Sequence, residues 1–463
     1  MHLNSIPALF QYLPVVLILY YIVPKKAKNT ALFVLSVLLY SWGQLRHIPI
    51  VLGILVATYF SALGLEQYEE RTFIRRLILT GTLVFDLGLL FVFRYYDFAI
   101  SNANVLFSLT LPVWQPDIPL GLALYSLHAL SYTLDVYRKR AYAERNFIDL
   151  AAFMTFFPVF MTGPVILYRD MDFELANRKI TPELLEEGIG DIIIGLARKS
   201  IIADNLSVLG RDLRSFGLAT ISTGLAWMYL LVFGLQLYYE LSGYSQMAIG
   251  VAKLFGFRLA DNYDSPFSSR TIIDFCRRWN ISLQRWFHEY IYVPMGGSRA
   301  GFLRTMFNLL VVWLLVGIWY GPHLSFILWC LYLFLFVCLE KSGLRGFMNK
   351  HKIISRVYTT LICLLGWAIL SSADIAELLL LVNKLFIPTF LSDSATLTLF
   401  YYLRNYIVLL VISIFFSTSF SSRVFHKLTR NTFVRVVVMV ALFLLCIAYN
   451  TEPSRSPFEF FRL

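Results

Sequence analysis

The chain has 463 residues, of which 58% are hydrophobic and only 15% charged. Soluble domains usually carry about 25% charged residues, so this composition excludes an ordinary water-soluble globule. A formal net charge of +11 raises nucleic acid as a partner, but the basic residues gather at the ends of apolar runs, where they report membrane topology and not nucleic-acid binding.

In chain order, residues 8–24, 29–45, 47–65, 215–239, 305–339, 357–373, 405–422 and 436–451 contain no Asp, Glu, Lys or Arg. Residues 77–93 and 119–137 add runs with one internal acid each, Asp86 and Asp135. A helix needs roughly 20 apolar residues to cross the hydrocarbon, so the pattern predicts an all-α polytopic bundle with about 11–13 membrane-embedded segments, some re-entrant. The run 305–339 is long enough for two helices, with the break expected at Gly321-Pro322. The short connections carry Lys25, Lys26 and Lys28, then Arg46, then Arg71, Arg75 and Arg76, then none in 97–117, then Arg138, Lys139, Arg140 and Arg145. High, low, high, none, high is the positive-inside alternation, and it predicts an extracytoplasmic N-terminus with the Lys25 and Arg138 connections in the cytoplasm. The first run has no basic residue before it, so it reads as a retained anchor and not a cleaved signal.

No long linker, low-complexity tract or internal repeat divides the sequence, which is taken as one membrane domain over 1–463. Ordinary spans fill 1–140, a polar-interrupted zone fills 141–329, and further spans fill 330–463. Breaks in the central zone are expected at Phe157-Pro158, Gly163-Pro164, Ser265-Pro266 and Pro294-Met295-Gly296-Gly297, and irregular backbone at membrane depth must be buried or line a wet cavity. Between them, Ile272, Phe275, Trp279, Leu283 and Trp286 recur at helical spacing, predicting one helix over 271–287 with Thr271 and Asp274 as a capping box. It has a charged face of Asp274, Arg278 and Arg285 and an uncharged polar face of Cys276, Asn280 and Gln284. Two placements fit this pattern: an amphipathic helix at the interface, or the wall of an internal cavity. In the second, Trp279, Asn280 and Gln284 border water continuous with the cytoplasm. Asp86, Asp135 and Glu240 are costly inside a membrane and so are candidates for function; for Asp135 and Glu240, pairing with a nearby Arg or Tyr is expected. The five cysteines form no C-x-x-C pair, which supports neither a metal site nor a disulfide framework.

The central zone resembles a known family. Gln236-Leu237-Tyr238-Tyr239-Glu240-Leu241-Ser242-Gly243-Tyr244-Ser245-Gln246-Met247-Ala248-Ile249-Gly250 is similar to its block Q-x-Y-x-D-F-S-G-Y-S-D-M-A-I-G. Phe275-Cys276-Arg277-Arg278-Trp279-Asn280-Ile281-Ser282-Leu283 resembles F-W-R-R-W-H-I-S-L, and Tyr290, Tyr292, Pro294 and Gly296-Gly297 continue it. With Pro119-Leu120-Gly121, Phe156-Phe157-Pro158, Gly163-Pro164 and Ala203-Asp204-Asn205 in order upstream, residues 1–345 resemble the bacterial branch of the membrane-bound O-acyltransferases. The resemblance implies a helical bundle around a central tunnel. It also implies an O-acyltransferase of the bacterial cytoplasmic membrane that needs no bound cofactor. Its donor is an acyl-CoA or acyl-carrier thioester reaching it from the cytoplasm. Its acceptor is a hydroxyl of a cell-surface polysaccharide or polymer, served through an extracytoplasmic or carrier protein partner.

The family's histidine block reads Gly317-Ile318-Trp319-Tyr320-Gly321-Pro322-His323 here, so Tyr320 stands at the histidine position. A general base works best with a pKa near the operating pH; tyrosine lies near 10 and histidine near 6.5. The implied site therefore takes His323 as the replacement base beside Asn280, which stands where this branch usually has a second histidine and other branches have Asn or Asp, with Tyr320 as donor to the thioester carbonyl. Arg277 and Arg278 are expected on donor phosphates, and Trp279, Gln284, Trp319, Tyr239 and Glu240 complete the implied binding set. His128 and His288 also stand where the family shows Gln and Arg, and structural roles are expected for both. Two rivals remain beside the transferase: a relative that keeps the bundle without turnover, as scaffold or acyl conduit, and a transporter or flippase.

Overall fold

The computed structural model describes residues 4–160, 163–218, 220–299, 301–387 and 393–451. It is all-α, with no strand among the described residues. Among the described residues, seven helical stretches are long and apolar enough to cross a membrane: Lys25–Gln67, Thr72–Phe107, Phe302–Tyr320, Leu324–Leu344, Lys352–Ser371, Thr396–Phe416 and Thr432–Asn450. Two shorter apolar helical stretches are Ala8–Ile22 and Phe147–Val159. The 43-residue stretch breaks at Leu45–His47 into the helices Lys28–Gln44 and Ile48–Gln67. Large apolar side chains such as Phe73, Leu303 and Phe433 stand exposed, as lipid-facing surfaces require.

Most of the expected breaks are present. Phe302–Tyr320 ends before Gly321, and Leu324–Leu339 starts after His323. Ser265 adopts a left-handed φ of 43° before the short turn Pro266–Ser268. Turns cover residues 293–299, where Gly296 and Gly297 have positive φ. The single helix expected over 271–287 is a correction: two helices form instead, Ile272–Arg278 and Ile281–Phe287. Asn280 divides them at φ 48°, a left-handed conformation that Asn tolerates because its short side chain hydrogen-bonds locally.

The fold divides into two compact units. The first comprises Met1–Ile192, Met247–Ala260 and His288–Tyr290. Its core joins the fully buried Tyr20, Leu32, Ile54, Phe153, Phe156, Phe255 and Phe257. Tyr20 Oη donates to the Phe255 carbonyl at 3.0 Å and accepts from Arg178 Nε at 2.6 Å, so its buried phenol is satisfied. Asp135 is paired as expected: Tyr290 Oη donates to it at 2.6 Å and Arg169 lies 3.7 Å away. His128 is buried, and its Nε2 accepts from the Ile166 N–H at 3.2 Å, which is a structural role.

Contacts in this unit also sort the connections into two sets. Arg46 meets Asp117 at 2.5 Å, joining the two connections poorest in basic residues. Arg145 meets Glu66 at 2.5 Å, Lys139 pairs with Glu69, and Asn29 donates to Asp149 at 2.5 Å, joining the three basic connections. Exposed pairs of this kind add little stability, but each holds two chain segments at the same end of the unit.

The second unit comprises Ile193–Gln246, Asp261–Phe287 and Ile291–Leu463. A Cβ on Gly317 would lie 2.9 Å from Ile327 Cα, so glycine lets the helices Phe302–Tyr320 and Leu324–Leu339 touch backbone to backbone. A Cβ on Gly234 would collide with Trp367 Nε1, so the buried indole needs glycine opposite it.

Candidate active site

The second unit places Asn280 against Tyr320. Thr271 caps the first short helix, its Oγ accepting from Asp274 N–H at 3.0 Å. The buried Glu340 carboxylate also accepts from the Ile272 and Ile273 N–H groups at 2.6 and 2.9 Å, where an anion suits the positive end of a helix. Asn262 holds the second helix: its carbonyl accepts from Ile281 N–H and its Oδ1 from Ser282 N–H, both at 2.9 Å. Gln284 Nε2 donates to the Cys276 carbonyl and, at 3.2 Å, to that of Trp279. Its amide thus ties the kink together from inside, which is a structural duty that the expected cavity role did not include.

The kink aims Asn280 Nδ2 at Tyr320 Oη, 3.5 Å away. Such a bond is long beside the usual ~2.9–3.0 Å, so a substrate oxygen can displace it at small cost. Aromatic rings enclose the pair. Tyr320 lies edge-on to Trp329 at 5.8 Å, Trp329 stacks on Trp367 at 5.7 Å, and Trp367 meets Trp279 at 5.4 Å. Trp279 and Tyr320 are buried and Asn280 is half-buried. Trp319 lies half-buried beside Tyr320, and its indole N–H is buried without a hydrogen-bond partner.

His323 requires a correction. It stands exposed just before Leu324–Leu339, with its ring 6.3 Å from Phe326, and the partner of Asn280 is Tyr320. Gly321 (φ 169°, ψ 169°) and His323 (φ −127°, ψ 137°) are extended, so the expected break at Gly321-Pro322 is present but leaves the imidazole exposed. His288 is likewise exposed.

Arg277 is exposed, whereas Arg278 is neutralised by Asp264 at 3.0 Å and Asp274 at 3.1 Å. Tyr239 Oη donates to the Ser413 carbonyl at 2.5 Å. Glu240 pairs with Lys199 at 3.0 Å, and Lys199 also meets Asp204 at 2.7 Å. Sequence reasoning missed Asn262, Glu340, Trp329, Trp367 and Lys199 as supports of this region. Glu340 alone carried a visible signal, as the acid that ends the uncharged run 305–339.

The model of the membrane-bound O-acyltransferase family matches residues 17–373, well over half of the chain. The chain belongs to the membrane-bound O-acyltransferase family. Within it, the chain is 34% identical over 375 residues to the probable alginate O-acetylase AlgI of Pseudomonas syringae, covering 79% of this chain and 71% of that one. It is 30% identical over 356 residues to the peptidoglycan O-acetyltransferase of Helicobacter pylori, covering 69% and 67%. A shorter match of 201 residues, 28% identical, relates it to the teichoic acid D-alanyltransferase of Bacillus subtilis, covering 40% and 49%. The chain is therefore an O-acyltransferase built as a multi-pass helical membrane protein, and the whole central zone that holds Asn280 and Tyr320 lies inside the family match.

Proposed function

We propose that this O-acyltransferase moves an acyl group, acetyl in the first instance, from a cytoplasmic thioester to a hydroxyl of a cell-surface polysaccharide. Asn280 and Tyr320 form its reacting centre. The observation that carries this reading is the Asn280 amide, fixed by a left-handed kink and directed at Tyr320 Oη within an aromatic enclosure. In the reaction the acceptor oxygen bonds to the thioester carbon, the C–S bond breaks, and the acceptor's proton ends on the departing thiol. Negative charge develops on the carbonyl oxygen between these events. Preorganised donors in a site that excludes water stabilise that charge most effectively, and the amide and phenol supply them. Neither group is a base at neutral pH, since an amide does not ionise there and a phenol ordinarily does so near 10. Arg277, exposed and without the flanking carboxylates of Arg278, is the cation for the phosphates of an acyl-CoA or acyl-carrier donor. Alginate and peptidoglycan in the names of two relatives support a glycan acceptor. A partner protein on the extracytoplasmic side completes the proposal, and the membrane is the bacterial inner membrane.

The purified protein in lipid nanodiscs, given acetyl-CoA and a soluble oligosaccharide acceptor, tests the centre. Asn280→Ala should lower turnover by ~10²–10³-fold, the cost of one lost oxyanion donor, and Tyr320→Phe should lower it as well. Unchanged turnover in both variants would remove the pair from the chemistry. One observation favours a second reading, the scaffold without turnover: the pair contains no imidazole, and His323 stands exposed. Restored or increased turnover in Tyr320→His, from a wild type that has none with either class of donor, would establish that reading instead.

The orientation proposed is an extracytoplasmic N-terminus with the Lys25 and Arg138 connections in the cytoplasm. It is supported by the sorting of basic and non-basic connections into two contact sets. Lys28→Cys in intact cells should resist an impermeant thiol reagent while Asp117→Cys reacts; the opposite pattern overturns the orientation.

A further inference from the structure

The helix Ser419–Leu428 takes no part in the site, yet its position is tightly constrained by the chain. Two residues, Ser417 and Thr418, separate it from the span Thr396–Phe416, and three, Thr429, Arg430 and Asn431, separate it from the span Thr432–Asn450. Each span ends where hydrocarbon meets headgroups. A ten-residue helix only about 15 Å long, joined so closely to both, must lie at that boundary.

Its two faces differ. Ser421 and Thr429 are buried and Val424 and Phe425 half-buried, which marks the side turned to the protein. Phe420, Arg423 and Lys427 recur at i, i+3 and i+7 on the exposed side, with Leu428 beside them and Arg430 just beyond. Phe420 is 55% and Leu428 63% exposed, and the Arg423 guanidinium lies 5.7 Å from the Phe420 ring centre. Apolar and cationic side chains sharing one exposed face suit the headgroup layer, where rings and leucines enter the acyl boundary and cations remain among phosphates. No Asp or Glu occurs anywhere in residues 394–451, so no carboxylate nearby in the sequence competes for these cations.

We infer that the Ser419–Leu428 helix, with Arg430, is a binding surface for anionic phospholipid. Phosphate headgroups pair with Arg423, Lys427 and Arg430 while Phe420 and Leu428 contact the acyl chains. Because the Ser419 N–H donates to Ser268 Oγ at 2.8 Å, the bound lipid also braces the turn that leads into Ile272–Arg278.

The test is thermal unfolding of the full-length protein in neutral detergent, titrated with phosphatidylglycerol, phosphatidylcholine or glycerol 3-phosphate. Phosphatidylglycerol should raise the midpoint more than phosphatidylcholine does, and salt at about 1 M, with its ~3 Å screening length, should shrink the difference. Each surface cation contributes about fivefold to the attraction of an anionic surface, so R423Q/K427Q/R430Q should need roughly 10²-fold more phosphatidylglycerol for the same shift. R423K/R430K should respond as wild type. Should the triple variant fail to fold, R423Q and K427Q singly should each show a severalfold loss. Equal responses to the two phospholipids, a full response in the charge-neutral variants, or an equal shift from glycerol 3-phosphate, which marks a soluble-anion site, would overturn the inference.

Discussion

Lys199 and Asn280 both put polar atoms inside the second unit, and they are treated in opposite ways. Lys199 is closed off: only 3% of its side chain is exposed, Asp204 and Glu240 flank it at 2.7 and 3.0 Å, and the Tyr244 ring lies 5.7 Å from its ammonium. Asn280 sits half-buried, with one long hydrogen bond to a phenol and a wall of aromatic rings around it. Ions taken out of water must be matched by partners at close range, or the structure loses several kcal/mol. A neutral amide carries no such demand and can exchange its partner for a substrate atom. The charged cluster thus has the features of a structural lock, and the neutral pair those of a place where chemistry occurs.

The largest expected effect lies on the closed side. Lys199→Met removes the cation that pairs with two buried carboxylates, Asp204 and Glu240, and breaking a buried ion pair this way costs about 3–5 kcal/mol. The variant should give little monodisperse protein and a strongly lowered unfolding midpoint. K199M/D204N/E240Q removes all three charges together and should recover most of the loss. An unchanged midpoint in Lys199→Met would erase the distinction between lock and site.

The intermediate case is Asn280→Ala. Its left-handed φ of 48° is strained for alanine by about 1 kcal/mol, so the midpoint should fall slightly while turnover falls by orders of magnitude. Asn280→Gly relieves the strain and still lacks the amide, so its midpoint should hold and its turnover should not. Equal losses of stability in Lys199→Met and Asn280→Gly would contradict the comparison.

How much of this was readable in the sequence depends on how local each feature is. Thr271 as a cap, the apolar face of Phe275, Trp279, Leu283 and Trp286, and the Gly321-Pro322 break all follow from neighbouring residues, and all are present. The kink at Asn280 escaped because apolar spacing continues in register across it and neither Gly nor Pro marks it. The only signal was Asn itself, one of the few residues that enter the left-handed region. His323 misled because a break at Gly321-Pro322 does not by itself fix where the next side chain points, and the extended residues here leave its imidazole exposed. Lys199 lies 41 residues from Glu240, and periodicity carries no information about such a pairing. Asn280 and Tyr320 were found through the family resemblance, which preserves long-range neighbours that composition cannot reveal.

The smallest expected effect decides on which side of the comparison Tyr239 falls. The family block suggested a substrate contact, but its hydroxyl is spent on the Ser413 carbonyl at 2.5 Å, 174 residues away. That carbonyl also accepts from Ser417 N–H at 3.1 Å within its own helix, so removing the phenol leaves no acceptor without a partner. Tyr239→Phe keeps the ring in place and deletes one neutral hydrogen bond, which is worth about 1 kcal/mol. The unfolding midpoint should fall by a few degrees, and KM for the thioester donor and kcat should both match wild type. The outcome to look for on the other side is a tenfold rise in KM at an unchanged midpoint. Such a split would mean that the hydroxyl leaves Ser413 to meet substrate, and that the boundary between lock and site lies one residue away, between Tyr239 and Glu240.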